Sequence, residues 1–208
     1  MNFSLHKVSN LPILVIDNFF SQDACDRMFQ ELLFLNNHPD KLKTPEETGS
    51  ATRMDDDSKE KILLKKNKGM WLDNLYADRS FSNILEETKL LFSPDVIKKA
   101  EDADILFRYI GMSNSDTTLI TYYDKLDYYD MHTDDSTLTA ISWFYKKPRM
   151  FLGGELMFED GLGVDCEFNR MVIFPSVLFH SVNPVILDEN LQDSSNGRFA
   201  ITKFIRVL

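Results

Sequence analysis

Cysteine is scarce in this chain, and its scarcity limits the kinds of site that the protein can contain. The 208 residues include only Cys25 and Cys166, which lie far apart and do not form a Cys-x-x-Cys pair. This pattern argues against a disulfide framework and against a cysteine-based zinc site. We therefore expect two reduced thiols in a cytoplasmic protein.

Long apolar runs are missing as well. No stretch approaches the roughly 20 apolar residues that a transmembrane helix needs. The first residues also lack the basic segment and apolar run of a secretory signal peptide. We therefore expect no membrane partner and a cytoplasmic location.

Positive charge is in deficit. The chain has 33 acidic and 23 basic side chains, which give a formal net charge of −10. Such a surface repels nucleic-acid phosphates, so the balance predicts no nucleic-acid partner. It leaves small molecules and peptides open as substrates, and it does not bear on the oligomeric state. Hydrophobic residues make up 43% of the chain, which is enough for one well-packed domain.

The first part of the chain is predicted to be mainly helical and to pack against the rest of the fold. Residues 11–20 favour a buried strand that runs into a turn, and Ser21 is a suitable N-cap for a helix over 22–36. Residues 37–68 are then dense in charged side chains and carry breakers such as Pro39. A long polar segment of this kind is either a mobile lid or a disordered insertion.

Two further helices are expected before residue 104, where the sequence pattern changes from helical to strand-like. Ser80 can cap a helix through Phe92, and Ser93-Pro94 can start a third helix. From residue 104 onwards the pattern predicts short strands joined by turns. We expect these strands at residues 105–110, 117–123, 137–145, 154–158, 164–168, 170–174, 178–183 and 198–207.

This order of elements predicts an α+β fold that is mainly β. Short strands without intervening helices are typical of an antiparallel sandwich or barrel. We expect a single domain over 1–208, with a helical support region over 1–103 and the β core over 104–208.

Histidine is also rare, which makes the positions of the four histidines informative. His6 lies in the N-terminal segment, which we expect to be frayed, and His38 lies in the polar loop, so we expect both at the surface. His132 and Asp134 follow a run of aromatic residues, and side chains two apart on a strand point to the same face. His180 follows another β-type run. Both imidazoles and the carboxylate can therefore meet in one small β-domain.

Two imidazoles and one carboxylate form the facial triad of non-haem Fe(II) oxygenases, which leaves three coordination positions open. A structural zinc normally has four protein ligands, and no fourth candidate is present. A bidentate 2-oxo acid and dioxygen fit the open positions. The second carboxylate of such an acid needs a cation, and Arg198 offers the planar fork that suits it. Lys203 and Arg206 are rivals on the same predicted strand.

Four motifs in a fixed order give the sequence a resemblance to a known family. They are Tyr123-x5-Tyr129-x2-His132-x-Asp134, Gly153-Gly154-Glu-Leu-Met-Phe158, Phe174-Pro175 ahead of His180-Ser-Val, and Gly197-Arg198-Phe-Ala-Ile-Thr. The order resembles that of the prolyl 4-hydroxylase-like branch of the Fe(II)/2-oxoglutarate-dependent dioxygenases. The resemblance covers roughly residues 104–207 and extends loosely to the first strand and helix.

The resemblance implies a double-stranded β-helix, or jelly roll, flanked by N-terminal helices. It implies that His132, Asp134 and His180 bind Fe(II) and that Arg198 holds the distal carboxylate of 2-oxoglutarate. It further implies that Tyr123 forms a hydrogen bond to this co-substrate near the metal.

Some positions of the family pattern stay open. A helper tyrosine of the family aligns with Trp143, with Tyr145 nearby, so either aromatic residue is a candidate for the co-substrate pocket. The glycines Gly153 and Gly154 are interpreted as a tight turn with positive φ at the start of a strand, and not as ligands.

The implied reaction is hydroxylation of an unactivated C–H bond, with succinate and CO2 as co-products and with Fe(II), 2-oxoglutarate and dioxygen as cofactors. An aspartate at position 134 favours hydroxylation over halogenation, because halogenating relatives carry a small residue there. The substrate is a prolyl residue, a free amino acid or another small molecule. Residues 37–68, or the turn at 112–116, are candidates for a lid.

Two alternatives belong to other functional classes. One is a cupin-like iron dioxygenase that does not use 2-oxoglutarate; Arg198 and Tyr123 argue against it. The other is a non-catalytic jelly-roll binding module, against which the complete set of three metal ligands argues.

Overall fold

The computed structural model describes residues 1–38 and 40–208, and its main elements are antiparallel strands. The strands in the described part of the chain are β1 (Asn2–Val8), β2 (Leu11–Asp17), β3 (Thr52–Met54), β4 (Lys61–Leu63), β5 (Lys65–Lys66), β6 (Lys68–Trp71), β7 (Ser115–Tyr123), β8 (Tyr128–His132), β9 (Leu138–Phe144), β10 (Phe151–Gly153), β11 (Leu156–Phe158), β12 (Gly163–Val164), β13 (Met171–Pro175), β14 (His180–Val182), β15 (Val185–Leu187) and β16 (Arg198–Arg206).

Most of the helical residues precede β7. The α-helices are α1 (Gln22–Asn37), α2 (Pro45–Thr48), α3 (Leu72–Leu75), α4 (Asn83–Glu87), α5 (Pro94–Ala103) and α6 (Tyr109–Met112). Short 3-10 helices span Arg79–Phe81, Thr88–Phe92, Ile105–Arg108 and Glu189–Leu191.

Two sheets form the body of the molecule. The larger has seven strands in the order β1-β2-β13-β9-β16-β7-β6, and the smaller has five in the order β12-β11-β14-β8-β5. The pairs within each sheet are antiparallel. This arrangement confirms the predicted fold class, a mainly β jelly roll with flanking helices.

The centre of the larger sheet is buried on both faces, and every residue of its central strand β9 is therefore buried. On one face Ala140 and Ile201 pack with Met28 and Leu32 of α1 in the helical layer. The opposite face contributes Trp143 and other side chains to a second apolar cluster between the two sheets. The site described below lies at one end of this second layer.

Helix α1 follows the prediction closely. Ser21 caps it by accepting a hydrogen bond from the backbone N–H of Ala24, and the predicted apolar stripe is buried. The predicted third helix is confirmed as α5, which Ser93 caps through the N–H of Val96.

The N-terminal residues are not frayed, contrary to the prediction for the segment that contains His6. They form β1, which pairs with β2 over seven residues. Ser9 and Asn10 join the two strands, and both have positive φ, 50° and 66°. This is the backbone of a tight hairpin turn. β1 is a largely exposed edge strand, and for that reason it carries no strong strand pattern. His6 is exposed on it, as predicted.

Residues 105–110 are not a strand. They form a 3-10 helix that continues into α6, and the Asp104 side chain caps it by accepting from the N–H of Leu106. Short apolar runs fit a buried strand and a helical turn equally well, which explains the error. The second helix also starts later than predicted, because Ser82 and not Ser80 caps α4.

Residues 37–68 carry α2 and three short strands, so the segment is not simply a disordered insertion. Pro39, one of its predicted breakers, lies outside the described residues. The hairpin of β3 and β4 is largely exposed, whereas β5 joins the smaller sheet beside β8. The division of the chain at residue 103 stays a prediction.

None of the helices among residues 1–38 and 40–208 combines the length and the apolar character that a membrane span requires. The cytoplasmic location stays a prediction.

Candidate metal centre and co-substrate cavity

The two site histidines are direct neighbours across the smaller sheet. His132 ends β8, His180 begins β14, and the register pairs one with the other. Their ring centroids lie 4.3 Å apart. The Nδ1 atom of His132 lies 2.8 Å from the carbonyl oxygen of Asp130, and that of His180 lies 2.9 Å from the carbonyl oxygen of Leu178. Because each carbonyl fixes a proton on Nδ1, each Nε2 keeps its lone pair for a ligand.

Asp134 reaches the same point by a different route from the one predicted. It lies in the loop after β8, where its N–H donates to the carbonyl of Ser176, so it does not share a strand face with His132. Its carboxylate oxygens lie 3.6 Å from Nε2 of His132 and 3.5 Å from Nε2 of His180. The Thr139 hydroxyl donates to the same carboxylate at 2.6 Å.

The donor set fits a divalent metal. One ligand atom from each of His132, Asp134 and His180 lies within 4.8 Å of the other two. Burial, reinforced by the neighbouring His180, lowers the pKa of His132 to about 3. The imidazole is therefore neutral at physiological pH, which is the form that binds a metal. Two imidazoles and a carboxylate match the ligand chemistry of Fe(II).

The larger sheet supplies the opposite wall of the cavity. Arg198 begins β16 and pairs in register with Tyr123, the last residue of β7. Arg198 is 1% exposed, and its Nε and Nη1 atoms have no hydrogen-bond partner in the described part of the chain. Its guanidinium carbon lies 4.6 Å from the ring centre of Tyr123. Burial raises the pKa of the Tyr123 hydroxyl, while the positive charge of Arg198 opposes that rise, so the hydroxyl remains a donor.

A buried guanidinium without an anion is costly, because it loses its hydration and gains no ion pair. The cavity that Arg198 lines also contains the metal triad. The unpaired donors therefore fit a carboxylate of a ligand that reaches the metal with its other end.

The two other cationic residues considered on β16, Lys203 and Arg206, have hydrogen-bond partners that do not line the cavity. The ammonium of Lys203 pairs with Asp116, and the guanidinium of Arg206 donates to the carbonyl of Asp135 and the hydroxyl of Thr117. Arg198 alone among the three combines complete burial with unpaired donors.

The two aromatic candidates have different positions. The Trp143 ring is buried, and its centre lies 5.6 Å from the guanidinium carbon of Arg198. The Tyr145 hydroxyl donates to Glu167 and accepts from the N–H of Phe168, remote from this contact. Neither ring is among the residues that line the cavity, and of the two only Trp143 contacts Arg198.

Gly153 and Gly154 have φ values of +73° and +75°, as the predicted turn requires. A Cβ atom at Gly154 would lie 3.0 Å from Cδ of Arg198. Glycine at this position therefore serves both the turn and the close approach of the arginine.

Among the cavity residues that sequence reasoning missed are Lys65 and Asn67. Both are buried, and neither amide atom of Asn67 has a hydrogen-bond partner among the described residues. They lie in the lysine-rich part of residues 37–68, where every neighbouring signal indicates a solvated loop. The pairing of Lys65 with Tyr129 of β8 brings them inside, and the sequence carries no sign of that pairing.

The proposed lid at residues 112–116 does not line the cavity. Asp116 lies seven residues before Tyr123 on β7, which is roughly 23 Å along an extended strand. His38 ends α1 and is exposed, as predicted.

Comparison with known proteins agrees with this geometry. Residues 118–206 match the model of the 2OG-Fe(II) oxygenase superfamily. No curated protein gives a significant match to the sequence.

Solved structures share the fold at low sequence identity. A prolyl-4-hydroxylase from Pseudomonas putida has a TM-score of 0.59 at 15% identity, covering 93% of this chain and 91% of its own. A 2OG-Fe(II) oxygenase family oxidoreductase from Burkholderia pseudomallei has a TM-score of 0.57 at 12% identity, covering 94% and 85%. A viral collagen prolyl hydroxylase from Paramecium Bursaria Chlorella virus-1, in complex with 2OG, has a TM-score of 0.52 at 14% identity, covering 94% and 96%.

The matched segment contains the complete triad, the arginine and the tyrosine. Residues 118–206 match the 2OG-Fe(II) oxygenase superfamily and lie in a fold shared with prolyl 4-hydroxylases, and their His-Asp-His triad fits Fe(II), 2-oxoglutarate and dioxygen as the cofactors.

Proposed function

We propose that the protein is a hydroxylase that inserts an oxygen atom into an unactivated C–H bond and converts 2-oxoglutarate to succinate and CO2. The observation that carries the proposal is the buried guanidinium of Arg198, which shares a cavity with the triad and whose Nε and Nη1 atoms have no hydrogen-bond partner among the described residues. A jelly-roll metalloprotein that does not bind a dicarboxylate has no use for such a group.

In this proposal His132, Asp134 and His180 hold the metal. The backbone carbonyls behind the two imidazoles orient them, and the Thr139 hydroxyl orients the carboxylate. Such outer contacts keep the ligand atoms in place before the metal arrives. Bound Fe(II), with 2-oxoglutarate and dioxygen, supplies the oxidising chemistry.

Arg198 holds the distal carboxylate of 2-oxoglutarate, and the Tyr123 hydroxyl donates a hydrogen bond to the same co-substrate. Asn67 lines the same cavity, and its unpaired amide offers a further donor and acceptor. The apolar walls, among them Ile141 and Val182, exclude water and thereby strengthen these charged contacts. The residues thus bind, orient and desolvate the co-substrate.

Two substrate classes fit this reaction, a prolyl residue in a peptide and a free amino acid or other small molecule. The fold shared with prolyl hydroxylases supports the first class. Asp134 supports hydroxylation in either class, because its carboxylate takes the position that a halide needs in halogenating relatives.

Anaerobic titration tests the proposal. Wild-type protein with Fe(II) and 2-oxoglutarate should develop a visible metal-to-ligand charge-transfer band. His132→Ala should lose the band, because only two ligands remain. Arg198→Met should raise the dissociation constant of 2-oxoglutarate at least about 100-fold, because a bidentate, charge-assisted contact is lost.

The Arg198→Met variant carries its own control for folding. Methionine is of similar length and uncharged, so the metal-free variant should be as stable as wild type or more stable in urea unfolding. A missing band in wild type, or a band that persists in His132→Ala, would contradict the proposed function.

A further inference from the structure

Lys65 is a buried cation at the junction of two spaces. It lines the cavity with the triad, and it also lines an open groove outside, which we call the entrance groove and which Ser50, Trp71 and Phe204 help to form. Arg198, Tyr123 and Asn67 line the cavity but not the groove. Lys65 therefore lies on the outer side of the co-substrate residues.

The ammonium of Lys65 has no anionic partner at close range. Lys65 is 6% exposed, and within the described ranges 1–38 and 40–208 its ammonium forms no ion pair and no hydrogen bond. It lies 5.5 Å from the ring centre of Tyr129, its cross-strand neighbour. Burial lowers the pKa of Lys65 to about 8, and the negative charge of Asp134 opposes that shift.

The charges of the site with metal and 2-oxoglutarate bound also favour an anionic substrate group. A divalent metal, the carboxylate of Asp134, the two carboxylates of 2-oxoglutarate and the guanidinium of Arg198 balance to zero. The ammonium of Lys65 then leaves one positive charge uncompensated in a buried site, which is unfavourable. One further anionic group beside the metal would remove the imbalance.

We propose that Lys65 binds a carboxylate of the substrate, so that the substrate is a small organic acid such as a free amino acid and not an uncharged peptide segment. This inference rests on the proposed function and chooses between its two substrate classes. The net charge of −10 offers no long-range attraction for an anion, so the recognition is short-range and depends on Lys65.

The other charged groups of the entrance groove do not replace Lys65. Arg206 is engaged with Asp135 and Thr117, and the carboxylate of Asp135 is exposed at the outer rim. Lys65 is the cation of the groove that is both buried and unpaired within the described residues.

Acetate and acetamide are matched probes, since they share their shape and differ in charge. The protein is loaded with Zn(II), which binds the same kinds of ligand but is not redox-active, and with saturating 2-oxoglutarate. The metal and Arg198 are then occupied. The side chain of Lys65 is followed by NMR in protein with labelled lysine, and its signal is assigned by its loss in Lys65→Met.

We expect acetate to shift the Lys65 signal saturably and to raise the melting temperature, whereas acetamide does neither. Lys65→Met should lose the acetate-dependent rise in melting temperature. Lys68→Met is the matched control, because it removes an exposed lysine three residues away and should respond to acetate as wild type does.

Three results would overturn the proposal. One is a Lys65 signal that responds to neither probe or equally to both. Another is a dissociation constant of 2-oxoglutarate, measured by the charge-transfer band, that rises tenfold or more in Lys65→Met, because Lys65 would then serve the co-substrate. The third is succinate formation that depends on uncharged peptides and not on free amino acids. An absent charge-transfer band, by contrast, contradicts the proposed function and leaves the acetate result readable by itself.

Discussion

At the scale of single residues, Gly154 shows how one backbone position controls the depth at which a charged side chain is buried. Its φ of +75° is a conformation that residues with a Cβ atom adopt at a cost. Its missing side chain also leaves room for the Arg198 side chain. The turn and the co-substrate anchor therefore depend on the same residue.

Gly154→Ala should lower stability by about 1 to 2 kcal/mol through backbone strain. It should also weaken 2-oxoglutarate binding about tenfold or more, because the new Cβ atom displaces Arg198. Urea unfolding and anaerobic titration measure the two effects separately.

The matched control is Gly161→Ala. Gly161 has a φ of +92°, but a Cβ atom there would meet nothing within 4 Å. This variant should show the loss of stability and normal co-substrate affinity. Equal affinities in both alanine variants would mean that Gly154 does not position Arg198.

At the scale of elements, residues 37–68 divide into two parts with different roles. β5 adds to the smaller sheet and brings Lys65 into the cavity. The hairpin of β3 and β4 pairs only with itself and is largely exposed. Its two ends are already joined by the hydrogen bond from the N–H of Leu64 to the carbonyl of Ala51, at 3.0 Å.

We therefore expect the hairpin to be dispensable for the metal and co-substrate sites. Replacing residues 52–63 with two glycines should change stability by no more than about 1 kcal/mol, because few buried contacts are lost. The dissociation constant of 2-oxoglutarate should stay within twofold of wild type in anaerobic titration. A large loss of binding would show that the hairpin closes over the cavity and would support a lid.

At the scale of the whole molecule, a charged network joins the helical layer to the larger sheet. The Asp116 carboxylate accepts two hydrogen bonds from the guanidinium of Arg79 and another from the ammonium of Lys203, which is 3% exposed. Burial alone would raise the pKa of Asp116, but the hydrogen bonds from Arg79 and the charge of Lys203 outweigh it and lower the pKa to about 2.

Asp116→Asn should destabilise the protein by about 3 kcal/mol at pH 7, because it leaves the buried ammonium of Lys203 without its anion. Asp102→Asn, which removes an exposed ion pair with Lys98 on α5, should cost less than about 0.5 kcal/mol. Urea unfolding of both variants provides the comparison.

The same network predicts a dependence on pH. The folded-state pKa of Asp116 lies below its ordinary value of 3.8, so the carboxylate contributes its full stabilisation above about pH 4. That contribution is lost as the pH falls through about 2. The difference between wild type and Asp116→Asn should therefore shrink over this range. A difference that stays constant from pH 7 to pH 2.5 would contradict the assigned role of the network.

The sequence by itself determined those features whose signal is local. Helix α1 was predictable because its cap and its apolar stripe are read from consecutive residues. The triad and Arg198 were proposed from four motifs in a fixed order, and the structure brings these residues to one cavity. The short run at 105–110 was ambiguous, because a few apolar residues do not separate a helical turn from a strand.

Only the tertiary structure decided how distant segments meet. His132 and His180, and likewise Arg198 and Tyr123, are partners because antiparallel register aligns the ends of their strands. Lys65 became a cavity residue because a two-residue strand pairs with β8, although its neighbours in sequence are solvated. Pairing energy comes from contacts between segments far apart in the chain, and a local pattern does not encode it. That is the physical reason why the candidate metal ligands were recognised from sequence motifs and the cation proposed to bind the substrate was not.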